Sequence, residues 1–158
     1  MSIDELIDPV RQQLAELGFE LVDLRRSGST QHPLLQVRID RPDSSPGHGV
    51  TAEDCVRASR ALERFLETRG AVGPRYGLQV SSPGLERPVV FPDHWRRFTG
   101  RQVRIKGRHS ARSPAVIVAV PDDANVTLRF RDGAEDTVPL SEIKEATLIY
   151  EWDSEQKK

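Results

Sequence analysis

Tyr76-Gly77-Leu78-Gln79-Val80-Ser81-Ser82-Pro83-Gly84-Leu85-Glu86-Arg87-Pro88 divides the sequence into two halves that follow different patterns. Tyr76, Leu78 and Val80 alternate with small or polar residues, the period of a strand with one buried face. That strand must stop at Ser82, because Pro83 has no amide hydrogen to offer a ladder. Gly84 then supplies the positive φ that the third residue of a type II turn requires. Arg87-Pro88 reads as a short extended connection. Ser82, Pro83, Gly84, Arg87 and Pro88 are therefore the candidate interdomain hinge. The expected division is an N-terminal domain at 1–86, a linker at 87–91, a second domain at 92–152 and a disordered tail at 153–158.

Upstream of the hinge, Ile3, Leu6, Ile7, Val10, Leu14 and Leu17 recur at three- and four-residue steps, which predicts a helix ended by Gly18. Ser2 with Glu5 resembles a capping box, while Asp8 before Pro9 offers a second start, so the first turn is expected to be kinked or separate. The span 19–26 reads as a strand. Leu35, Val37 and Ile39 alternate with Gln36 and Arg38 in the next one, and the loop 27–33 makes the two a hairpin. After a Pro- and Gly-rich loop at 41–49, Thr51 and Asp54 mark the start of a second helix. Cys55, Ala58, Leu62, Phe65 and Leu66 form its apolar stripe and Gly70 closes it. With the Tyr76 strand the order is α-β-β-α-β, a KH-like topology. Gly70-Ala71-Val72-Gly73 matches the G-x-x-G loop of KH domains only in form: a strand follows at once, where a KH loop needs a second helix, so a helix end cap and turn is the better account.

Downstream the pattern changes to short strands without a long helix. A single helical turn is expected near 92–98. Strands follow at 102–106, 115–120, 126–131, 136–139 and 146–152, with hairpin turns at Pro121-Asp122-Asp123 and Asp132-Gly133 and a turn at Ser141-Glu142-Ile143. Five short strands suit a small closed barrel, which removes its own edges. The fold class is thus α+β, an α-β-β-α-β domain followed by a small β-barrel.

At 158 residues the chain suffices for one ordinary domain or two small ones. Its longest uncharged apolar run, 115–120, cannot cross a bilayer. Asp4, Glu5 and Asp8 stand where a secretory signal would carry cations, and a lone Cys55 suits a reducing compartment, so a cytoplasmic protein is expected. The net charge is only −1, yet residues 94–120 hold seven cations and no acid. These are Arg96, Arg97, Arg101, Arg104, Lys106, Arg108 and Arg112, which can form a local anion-binding face and are the candidate RNA-binding residues. On an extended strand Arg104, Lys106 and Arg108 would share one face, with Val103 and Ile105 turned to the core. The same alternation also marks any solvated barrel strand. Trp95 and Phe98 interleave with these cations, where they would either stack on unpaired bases or pack a domain boundary.

Catalysis finds little support. His32, His48, His94 and His109 fall in expected loops or charged surface without ligand spacing, so no metal site is expected. Ser81 and Ser82 are accounted for by the turn, Cys55 by the core, and Glu53, Asp54 and Asp93 by helix starts. No enzyme activity and no cofactor are expected.

The octapeptide Ser81-Ser82-Pro83-Gly84-Leu85-Glu86-Arg87-Pro88 after a Tyr-x-Leu-x-Val strand resembles that of the bacterial ribosome maturation factor RimP family. The likeness extends to Gly18-Phe19-Glu20-Leu21-Val22-Asp23, to Gly49-Val50-Thr51 with Asp54-Cys55 and Ser59-Arg60-Ala61-Leu62, and to Phe98-Thr99-Gly100-Arg101. The resemblance implies an Sm-like or SH3-like C-terminal barrel. It also implies binding, without catalysis, to the small ribosomal subunit precursor. The implied partners are small-subunit ribosomal RNA and the ribosomal protein of the decoding centre, the twelfth of the small subunit. A monomer that touches no membrane is expected. Two other readings stay open. One is an RNA-binding regulator like the Sm-fold RNA chaperones. The other is an adaptor whose Asp122, Asp123, Asp132, Glu135, Asp136, Glu142 and Glu145 grip a basic ribosomal protein tail.

Overall fold

The computed structural model describes residues 3–29, 31–43, 49–70, 76–84 and 87–149. They form two compact units that divide between Pro83 and Gly84, inside the octapeptide.

The first unit opens with α1, Ile3–Glu16, whose Leu6, Val10 and Leu14 are buried one turn apart. Pro9 lies inside this helix, which continues through it, so the first turn is not a separate element. The helix ends in a Schellman pattern, the Phe19 amide donating to the Leu14 carbonyl at 2.9 Å and the Gly18 amide to that of Ala15 at 3.0 Å. The strand β1, Glu20–Gly28, pairs antiparallel with β2, Pro33–Asp40. The α2 helix, Ala52–Arg69, crosses over to bring β3, Gly77–Ser81, parallel to β2, a connection that parallel strands require. The sheet order is β1-β2-β3.

Leu35, Val37 and Ile39 are buried as their alternation predicts, along with Ala58, Leu62 and Leu66 of α2. Cys55 and Phe65 are only half-buried, so the stripe of α2 is narrower than expected. The start of α2 carries the full capping box: Thr51 accepts from the Asp54 amide, and the Asp54 carboxylate accepts from the Thr51 amide. The Ser2–Glu5 capping box, the residues 71–73 of the G-x-x-G pattern and the tail 153–158 lie outside the described residues.

The second unit begins with the short helix α3, Pro92–Arg97, followed by β4, Gln102–Gly107, β5, Ala115–Asp122, and β6, Asn125–Phe130. Then come β7, Glu135–Pro139, and β8, Ile143–Leu148, which begins three residues before the expected start because only a 3-10 turn, Leu140–Glu142, precedes it. The strands form one antiparallel sheet in the order β7-β6-β5-β4-β8. Among the described residues no ladder joins β7 to β8, so the sheet is open where a closed barrel was expected. Trp95, Val103, Ile105, Ile117, Val126, Leu128 and Phe130 are among the residues of its core, with Phe98 packed at the margin.

Residues 87–91, expected as a linker, are fixed to this unit. The Val89 amide donates to the Ala146 carbonyl at 2.9 Å, and the Leu148 amide to that of Arg87 at 2.7 Å. Pro88 sits opposite Thr147, and Val89 is buried in the core. A pairing partner this far along the chain leaves no local trace in the sequence.

Candidate nucleic-acid interface

Strand β4 displays the cationic stripe only in part. Val103 and Ile105 are buried and Arg104 and Lys106 exposed, as period two demands. Arg108 does not extend the stripe, because the ladder shifts register between Lys106 and Gly107 and the strand ends there. The shift needs glycine: Gly107 has a φ of +127°, and a Cβ on it would lie 2.7 Å from the Glu142 carbonyl oxygen. Arg108 turns toward the 3-10 turn instead, 3.6 Å from the Glu142 carboxylate.

The register that sets β4 beside β8 places Lys106 opposite Glu145, with 3.6 Å between the charged groups. Arg96 reaches Asp123 at 2.6 Å across the surface. Arg112 stacks its guanidinium 3.7 Å from the Phe130 centroid and meets Asp136 at 2.8 Å. Asp123, Glu135, Asp136, Glu142 and Glu145 are thus interleaved with cations of the same unit.

The remaining two candidates, Arg97 and Arg101, gather elsewhere. Their guanidiniums lie 4.8 and 6.0 Å from the Phe98 centroid, and Arg87 joins them at 5.0 Å. The sequence reading assigned Arg87 to the hinge and so missed it here. Its place depends on pairing with β8, and only the Arg-Pro dipeptide marked the segment as extended.

Burial decides the reading of Trp95 and changes that of His94. Trp95 is 1% exposed and belongs to the core, so its indole is closed to nucleobases. His94, expected at the surface, is 2% exposed. Its Nδ1 lies 3.4 Å from an Arg87 guanidinium nitrogen and its ring meets Phe91 edge-on. His109 pairs through Nε2 with Glu142 at 2.9 Å. Among the described residues no group of three or more His, Cys, Asp or Glu is placed to hold a metal ion. Burial, with a smaller push from Asp54, raises the Cys55 thiol above its ordinary pKa, which disfavours the thiolate a reactive cysteine needs.

Two acids of the first unit are buried and paired. Asp23 is 3% exposed on β1 and accepts both the Nε and a terminal nitrogen of Arg38 from β2, while Arg25 lies 3.2 Å away. Asp54 takes the Thr51 amide and Arg41, and these hydrogen bonds hold its carboxyl below the usual range. Of the candidate hinge residues, Ser82 and Gly84 are exposed and Pro83 half-buried, and Gly84 has the expected positive φ, 75°.

Residues 9–86, from within α1 to the sixth residue of the octapeptide, match the family model of the RimP N-terminal domain. The chain belongs to the RimP family. RimP proteins are ribosome maturation factors, not known enzymes, and association with the ribosomal subunit is the property of the family. Among the described residues no helix is long and apolar enough to cross a membrane.

Proposed function

We propose that this RimP protein is a cytoplasmic maturation factor that binds immature small (30S) ribosomal subunits and promotes their assembly by binding alone, with no cofactor. The observation that carries the reading is the match of residues 9–86 to the RimP N-terminal domain. Its partners are small-subunit ribosomal RNA and the decoding-centre ribosomal protein, the twelfth of the small subunit, met by a monomer. The second unit is an Sm-like or SH3-like module: its short strands bend at the register shifts in β4 and β5.

Exposed Arg104 and Lys106 supply phosphate-facing charge on β4, and Arg96, Arg97, Arg101, Arg108 and Arg112 supply more elsewhere on the second unit. Residues 82–84 serve as the hinge, Arg87 and Pro88 as its anchor on the second unit. Two weak contacts joined by a short connection act together through high effective concentration. The basic-tail adaptor is the weaker alternative, because Asp123, Glu135, Asp136, Glu142 and Glu145 already engage this chain's own cations. Sedimentation of the purified protein with immature and mature small subunits is the test. Co-sedimentation with the immature particles supports the reading; failure to sediment with them refutes it.

A further inference from the structure

The two sheets end in four outer strands, β1, β3, β7 and β8, and three of these are blunted or covered among the described residues. β1 carries Arg25 and Arg26 and a register shift between Leu21 and Asp23. β7 carries Glu135 and Asp136 and ends at Pro139. β8 is hydrogen-bonded along its outer side by Arg87 and Val89. Charges, irregularities, prolines and covering segments are the ordinary means of keeping an edge from pairing with another chain. β3 has none of them: Gly77-Leu78-Gln79-Val80-Ser81 holds no charge and no proline, keeps an even register, and pairs with β2 alone.

The core is also thinner on this side. Leu78 and Val80 stand opposite Leu35 and Val37 in the ladder, yet they are half-buried where their partners are buried. Within the unit α1 packs on β1 and α2 on β3. Arg57 marks the α1 side of α2, its guanidinium reaching the Leu17 carbonyl at 3.3 Å and lying 5.3 Å from the Phe19 centroid. Val56, Glu63 and Glu67, seven and four residues apart, share the other flank. All three are exposed, and neither acid makes an ion pair among the described residues. Burial, and after it the charges of Glu67 and Glu63, raise the Tyr76 phenol above its ordinary pKa, so both acids lie beside the start of β3.

A strand laid on this edge would find backbone partners in β3 and charged partners on α2. One helical turn sets Glu63 and Glu67 about 5 to 6 Å apart, and two strand residues span about 6.6 Å, so cations at alternate positions of the added strand match the two acids. Their aliphatic stems would cover Leu78 and Val80. We infer that the outer edge of β3, flanked by Glu63 and Glu67, is a docking groove for a basic extended peptide, which joins the first unit's sheet as a fourth strand. The inference rests on the reading of the protein as a small-subunit assembly factor, whose particle offers basic protein segments, and it uses none of the second unit's acids.

The test titrates the full chain with an eight-residue peptide in which Lys alternates with Thr, at low salt, and follows the protein's amide spectrum. A peptide in which Lys alternates with Pro carries the same charge but cannot form a ladder. The Lys-Thr peptide should shift the amides of 77–81, and the Lys-Pro peptide should leave them in place. Glu63→Gln with Glu67→Gln, both at exposed positions, should weaken binding of the Lys-Thr peptide about fivefold, as expected for two solvated ion pairs. Equal binding of the two peptides, undiminished binding by the folded double variant, or shifts that spare β3 would overturn the site. So would shifts of the β3 amides on concentrating the protein alone, which would make a second copy the occupant. Subunit sedimentation by the parent protein reports separately on the assembly-factor reading, so the two can fail independently.

Discussion

Asp23 and Asp123 are both aspartates paired with arginine, and they do opposite things. Asp23 is 3% exposed, with Arg38 clamped on both oxygens, so the paired carboxylate is shielded from water. Asp123 lies on an exposed turn, and its bond to Arg96 joins two solvated side chains. A solvated pair is worth little, roughly 0 to 1 kcal/mol, so phosphate can replace its carboxylate cheaply. A shielded one cannot be exchanged without stranding a charge. The Asp23 pair therefore serves the first unit's own geometry, whereas the Asp123 pair presents a charge that a polyanion can take over.

The largest expected effect tests whether the aromatic beside the second unit's cations is core or contact. Trp95→Ala should cost about 3 to 5 kcal/mol in urea unfolding, the loss for a buried aromatic. A cost under about 1 kcal/mol would return Trp95 to the surface as a stacking platform. Next comes the aspartate pair itself: Asp23→Ala should destabilise by roughly 2 kcal/mol, against within about 0.5 kcal/mol for Asp123→Ala. Equal losses would erase the distinction between the units.

The smallest effect is one of acidity. The folded state holds Asp54 below its ordinary pKa, first through the Thr51 amide and then through Arg41. Its contribution is therefore complete above the ordinary carboxylate range and disappears as pH falls through the depressed value. Asp54→Asn should lower the thermal midpoint at neutral pH, and the gap from the parent should narrow as both are taken to strongly acidic solution. A gap independent of pH would mean that the carboxylate's charge is not what caps α2.

Much of this was legible in the sequence, for local reasons. Leu35, Val37 and Ile39 are buried by alternation alone, and Thr51 with Asp54 caps α2 because both partners lie within one turn. What escaped was set by partners distant in sequence. Arg108 leaves the stripe because Gly107 meets the Glu142 carbonyl, and Lys106 meets Glu145 only once β4 and β8 take their register. His94 lies on a helix of six residues, too short for periodicity to reveal a buried face. Arg87 looked like a connector because its strand partner lies at the far end of the second unit.

The central claim, that the second unit's outward charges face RNA phosphate, is tested most directly by the salt dependence of immature-subunit binding. The measurement compares the parent with an Arg104→Glu, Lys106→Glu double variant whose fold is verified by its amide spectrum. The account predicts weaker binding by the variant and a slope of log Kd against log salt shallower by roughly 1 to 2, as lost phosphate contacts release fewer counterions. The same affinity and the same slope in a folded variant would contradict it.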